Sequence, residues 1–216
     1  MLLKKLNHFH RTWKVRRGKS FAVLGYPRSG TTMLSEIVAS VTDYYFDRDN
    51  VFPSSSKVVL HTHWKPSWFP RNSSVYIVRD PIDVSLSVIE YAAVHGWHLA
   101  EGGALNARKI SKLPWRDHVS DARKASHHIV IYERLVAGDE GETTRLAEHI
   151  GVPADWISMA MALLGAKHAN QPHESDVTFR QKKAERRSAG TEELKAQLMI
   201  DFAAEVAAYQ DLLSRG

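Results

Sequence analysis

Ser20-Phe21-Ala22-Val23-Leu24-Gly25-Tyr26-Pro27-Arg28-Ser29-Gly30-Thr31-Thr32-Met33-Leu34 is the stretch that decides the fold. Phe21–Gly25 is a short apolar run of the kind that forms a buried parallel strand. Leu34, Ile37, Val38 and Val41 then recur at helical spacing. Between them lies Gly25-x-x-x-x-Gly30-Thr31-Thr32, the glycine spacing of the nucleotide phosphate loop G-x-x-x-x-G-K-[ST]. Thr31 stands where that loop carries its lysine, and the cation sits further back, as Arg28. Backbone N–H groups and a helix N-terminus can still cradle a phosphate there. The lysine that would reach the β/γ-phosphates of ATP is missing. Gly18-Lys19-Ser20 imitates the end of such a loop, but Trp13 occupies its first glycine position and it precedes the strand.

Three further Val/Ile-rich runs, Lys57–Leu60, Val75–Val78 and Ile129–Tyr132, are each followed by polar residues and a helical pattern. This alternation predicts an α/β fold, a single domain with a central parallel sheet flanked by helices, of the P-loop nucleotide-binding kind. Asp80-Pro81 opens a helix with Val84, Val88 and Ala92 on one face, Pro81 suiting its first turn. A last helix from Thr191 aligns Leu194, Leu198, Phe202, Val206, Tyr209 and Leu213. The least regular stretches are 47–56, 64–74, 96–114 and 167–190. In an open α/β sheet the loops beyond the strand carboxyl ends form the ligand crevice.

The chain has 216 residues, no cysteine, and 29 Lys+Arg against 24 Asp+Glu, a net charge of +5. Disulfides, thiolate metal sites and a Cys nucleophile are excluded. The modest basic excess suits an anionic ligand but does not argue for nucleic acid. With no apolar signal core and no membrane-span-like run, a soluble cytoplasmic protein is the expectation.

Three segments can carry chemistry. In the first, Gly25 and Gly30 permit close backbone approach, Thr31 and Thr32 offer hydroxyls, and Arg28 offers a planar fork for phosphate or sulfate. In the second, the strand Val75–Val78 ends in Arg79-Asp80-Pro81, with Ser87 two turns into the next helix. Asp80 reads either as a metal-binding aspartate of a small-molecule kinase or as a helix cap, with Arg79 in a salt bridge. The third is His61-Thr62-His63-Trp64-Lys65-Pro66 at a strand end.

Tyr26-Pro27-Arg28-Ser29-Gly30-Thr31-Thr32, the Arg79/Ser87 spacing and Val130-Ile131-Tyr132-Glu133-Arg134-Leu135 together resemble the sulfotransferases that use 3′-phosphoadenosine 5′-phosphosulfate (PAPS). The landmarks span residues 21–135. The resemblance implies that Pro27, Arg28, Ser29, Gly30, Thr31 and Thr32 hold the 5′-phosphosulfate. It implies that Arg79 and Ser87 hold the 3′-phosphate and that Met33 and Tyr132 lie near adenine. His63 matches the family's general base, which takes the proton of an acceptor hydroxyl, with Arg28 stabilising the leaving phosphate. The implied reaction is in-line sulfuryl transfer from PAPS to a glycan, lipid head group or small molecule, releasing 3′-phosphoadenosine 5′-phosphate (PAP), without metal. Residues 19–216 would be the sulfotransferase domain and 1–18 a basic N-terminal segment.

The pattern also departs from the family. Arg28 replaces the usual loop lysine, Met33 the usual tryptophan, and His61 the lysine two positions before the base. The arm that closes over the 3′-phosphate has no clean match; Arg180 is the first choice, among Lys182, Lys183, Arg186, Arg187 and Gly190. Two alternatives for the histidines stay open: a His-x-His metal site, or structural histidines with Asp47, Asp49 or Glu90 as base. A small-molecule kinase and a non-catalytic binder of nucleotide or sulfated glycan are the alternative functions. Finally, Leu2, Leu6, Phe9 and Trp13 share one helical stripe, with Lys4, Lys5, Arg11 and Lys14 elsewhere. Residues 1–17 therefore either dock that stripe on the protein's own core or lie in a membrane interface.

Overall fold

The computed structural model describes residues 2–46, 57–95, 103–106, 111–170 and 191–215. Five parallel strands form one sheet: β1 (Phe21–Gly25), β2 (Tyr45–Phe46), β3 (Val58–Thr62), β4 (Ser74–Val78) and β5 (His128–Ile131), in the order β2-β3-β1-β4-β5. Among the described residues β1 is central and buried throughout. Its side chains alternate as the pleat requires. Ala22 and Leu24 join one core with Leu60, Tyr76, Val84 and Trp115. Phe21 and Val23 join the other, with Leu34, Ile37, Val38, Val75 and Ile157. Helices therefore cover both faces, as the strand–helix alternation predicts: α1 (Leu2–Arg16), α2 (Thr31–Val41), α3 (Pro81–His95), α4 (Trp115–Lys124), α5 (Tyr132–Val136), α6 (Glu140–Ile150), α7 (Ala154–Asn170), α8 (Thr191–Asp201) and α9 (Ala203–Arg215).

Local chemistry sets several boundaries differently from the sequence pattern. Tyr132 opens α5 instead of ending β5, because Ile131 is the last residue in register with β4. The 64–74 stretch contains two short 3₁₀ turns, Pro66–Trp68 and Arg71–Ser73. Residues 167–170, read as irregular, continue α7. The C-terminal helix is interrupted at Phe202, yet Phe202 N–H still bonds Leu198 O at 2.9 Å and Val206 N–H bonds Phe202 O at 3.0 Å. The apolar stripe thus keeps its register: Leu198 and Tyr209 are buried, while Leu194 is exposed. Asp47, Asp49, Arg180, Lys182, Lys183, Arg186, Arg187 and Gly190 lie outside the described residues.

Candidate active site

The carboxyl ends of β1, β3 and β4 converge on one crevice, where the glycine loop runs from β1 into α2. Gly25 is required by packing: a Cβ there would lie 2.8 Å from Ile77 O and 2.8 Å from Thr31 Cγ2. Gly30 is required by conformation as well, at φ +95°, with a Cβ 2.6 Å from the Tyr132 ring. Arg28 also adopts a left-handed backbone, φ 71°, an unfavourable state for a residue with a side chain. Its side chain crosses the crevice: Nε donates to Ser87 Oγ at 3.0 Å, and the guanidinium lies 4.9 Å from the Tyr91 ring centre. Ser87 and Tyr91, four residues apart on α3, present one surface to it.

α2 starts at this loop with no side-chain cap, so its first N–H groups keep the unmet donor capacity of a helix N-terminus. Ser29 Oγ is buried without a hydrogen-bond partner, and so is Arg79 Nε. Buried polar atoms without partners are uncommon in folded proteins. They lie in the glycine turn and at the end of β4, where the oxygens of an anion drawn into the turn would satisfy them, so the residues fit a phosphorylated ligand. Thr31 is buried and Thr32 half-buried, while Met33 packs against the second core.

Arg79 leaves the end of β4 with its guanidinium 4.6 Å from the Tyr132 ring centre. Its Nη2 donates to Asp83 at 3.0 Å. Tyr132 is therefore packed between Gly30 and Arg79. Asp80 caps α3: its Oδ1 accepts from Ile82 N–H at 2.7 Å and Asp83 N–H at 3.2 Å. That carboxylate oxygen is engaged as a helix cap, the second of the two roles its position in the sequence allows. The Asp80 N–H donates to Glu133 at 3.0 Å, and the other Glu133 oxygen accepts from Tyr209 OH.

His63 follows β3. Its Nδ1 lies 2.9 Å from Gly25 O. A carbonyl can only accept, so Nδ1 carries the proton and Nε2 keeps its lone pair. Burial, reinforced by Arg28 and His8, pushes its pKa down to about 4, while the bond to Gly25 opposes the shift. The ring is thus neutral at physiological pH, with its acceptor nitrogen defined. His118 fixes the backbone beneath it. Tyr76 OH donates to His118 Nδ1 at 2.9 Å, and His118 Nε2–H is shared between His63 O and Trp64 O, each at 3.1 Å. Burial pushes His118 down to about 4 as well. His61 meets His63 edge-on at 6.0 Å and Phe46 at 5.8 Å. Among the described residues no group of three or more His, Asp or Glu side chains could hold a metal ion.

The structure brings Arg28, Ser87, His63, Tyr132 and Arg79 to the loop end of the sheet, with Glu90 further along α3. Three partners were not read from the sequence: Tyr91, the Gly25 carbonyl and His118. Tyr91 was findable, one helical turn beyond Ser87; His118 was not, since its contacts to the 63–64 backbone span more than fifty residues.

No family model matches the chain, and no curated protein matches it in sequence. Solved structures do. The crystal structure of mouse sulfotransferase SULT7A1 complexed with PAP aligns at 16% identity, TM-score 0.50, covering 70% of this chain and 68% of that one. Retinol dehydratase in complex with androsterone and inactive cofactor PAP aligns at 17% identity and TM-score 0.53, covering 73% and 68%. The chain shares the fold of these sulfotransferase structures: an α/β domain whose described residues form a five-stranded parallel sheet.

Proposed function

We propose that this chain is a sulfotransferase that moves the sulfuryl group of PAPS to a hydroxyl on an acceptor, releasing PAP. The observation that carries the reading is the His63–Gly25 bond. It sets a neutral imidazole, lone pair on Nε2, against the glycine turn that opens an uncapped helix. A base and an anion cradle in contact is what transfer to a hydroxyl requires. Each of the two similar structures named above holds PAP.

PAPS supplies an activated sulfuryl group on a phosphate leaving group. The Thr31 and Thr32 N–H groups, the Ser29, Thr31 and Thr32 hydroxyls, Pro27 and Gly30 of the turn, and Arg28 hold the 5′ end and stabilise the charge left on its bridge oxygen. Arg79 and Ser87 hold the 3′-phosphate, with Arg180 as the further cation; Tyr132 and Met33 flank the adenine. His63 Nε2 takes the acceptor hydroxyl proton as the oxygen–sulfur bond forms and the bond to the bridge oxygen breaks. An anion beside Arg28 offsets part of the field that depresses His63, so its basicity rises when the site fills.

The test is transfer of labelled sulfate from PAPS into fractionated acceptors, paired with PAP titration. Wild-type transfer, lost in His63→Ala with PAP affinity kept, supports the assignment. Retained turnover moves the base to a carboxylate, and absence of PAP binding removes the donor site.

A further inference from the structure

The N-terminal helix is docked by a mixed face of polar residues and Val15. His8, Arg11, Thr12 and Val15 face the sheet, with Arg11 and Val15 only 1% and 0% exposed. His8 Nε2 meets Thr62 Oγ1 at 3.2 Å, and its ring stacks on Trp64 at 4.1 Å. The opposite side presents Phe9, 67% exposed, and Trp13, 41% exposed, one turn apart. Trp68, 41% exposed, adjoins this end of the helix, its carbonyl accepting from Arg16 Nε at 2.9 Å.

Charge singles out the partner. Residues 1–35 contain no Asp or Glu. Arg16, Arg17 and Lys19 are exposed beside the aromatic pair, with the Arg17 guanidinium 4.2 Å from the Trp13 ring centre. Asp121, the carboxylate that reaches the Trp68 corner, is taken up by Ser67 N–H at 2.7 Å and Lys65 at 3.6 Å. Large aromatics flanked by cations on a helix lying flat match the interface of an anionic bilayer. Base stacking fits less well, because the Trp13 ring is already engaged by Arg17 and by His10 at 6.1 Å. Among the described residues no helix is long and apolar enough to cross a membrane.

We infer that Phe9 and Trp13, with Arg17 and Lys19 around them, seat this protein on the surface of a membrane rich in anionic lipid. On the inner side of the same helix, the His8–Trp64 stack ties it to the segment that carries His63. The corollary, an acceptor hydroxyl held at the membrane surface, rests on the sulfotransferase reading; the seating itself does not.

The experiment is flotation of the full chain with phosphatidylcholine vesicles and with phosphatidylcholine–phosphatidylserine vesicles, at low and high salt. Binding to the mixed vesicles is expected, weakened by salt, and reduced about tenfold or more in Phe9→Ser/Trp13→Ser. Arg17→Glu/Lys19→Glu, which reverses two charges and keeps Phe9 and Trp13 in the chain, is expected to lose the preference for phosphatidylserine. Far-UV circular dichroism melts show that both variants remain folded. The inference is overturned by absence of flotation in either mixture or by equal flotation of the Phe9/Trp13 variant. It is also overturned by a dimer in sedimentation that this variant dissociates, or by single-stranded nucleic acid displacing the vesicles with the aromatics dispensable. None of these readouts involves sulfate transfer, so failure of seating and failure of the enzymatic reading are separable.

Discussion

The two ends of the crevice are built from different materials. At the glycine turn the working parts are backbone: a left-handed Arg28 and Gly30, an uncapped helix start, and the Gly25 carbonyl that orients His63. At the Arg79 end they are side chains held by one another: Arg79 on Asp83, and Tyr132 beneath the guanidinium. A site made of backbone is fixed by sterics and tolerates almost no substitution. A site made of ion pairs is adjustable, because each contact competes with solvent and with the ligand.

The sharpest break between the two ends is His63→Ala, which should lower turnover by about 10²- to 10⁴-fold, the usual contribution of a positioned base. PAP affinity by calorimetry should change little. Gly30→Ala comes next. A strained φ costs roughly 1–3 kcal/mol, and here the new methyl also meets the Tyr132 ring. A lower melting temperature and weaker PAP binding are expected together, with only the melting temperature partly restored in Gly30→Ala/Tyr132→Ala, since Tyr132 is itself proposed to flank the adenine. Arg79→Ala should weaken PAP binding about ten- to a hundredfold without lowering the melt, since a charge-assisted bond is worth about 1.5–3 kcal/mol. Asp83→Ala gives the smallest effect and the opposite sign. Releasing Arg79 from an exposed ion pair worth about 0.2–1 kcal/mol should tighten PAP binding by a few-fold at most.

Acid tests the backbone end separately. His63, His118 and His128 are each depressed by burial to about 4, below the ordinary histidine value near ~6.5. The unfolded chain then binds more protons than the native one between these values. Their stability contribution is complete above about pH 6.5 and falls as pH drops toward about 4. Urea midpoints measured across that window should decline, and His128→Asn, remote from the crevice, should flatten the decline without altering PAP binding.

Much of this architecture was legible in the chain, for a physical reason. The strand, glycine spacing and helix of residues 21–41 are local, and local sterics specify them. The spacing of Arg79 and Ser87 puts both on α3 or its entry, again locally. What escaped was long-range. β2 is two residues long and leaves no periodic signature. The inward face of α1 at residues 8–15 was unreadable because polar anchors, His8 to Thr62 and Trp64, hold it while Phe9 and Trp13 of the apolar stripe stay exposed. The Arg28–Ser87 bond joins residues fifty-nine apart, and no pattern within either segment announces it.

Glu133 carries a last consequence. One carboxylate, gripping the Asp80 amide with one oxygen and the Tyr209 hydroxyl with the other, ties the chain's final helix to the strand end that launches Arg79. Under the sulfotransferase proposal, loosening this helix, far from any reacting atom, would slacken the hold that Arg79 has on its anion. The helix that carries Tyr209 acts as a guy-rope for the end of β4.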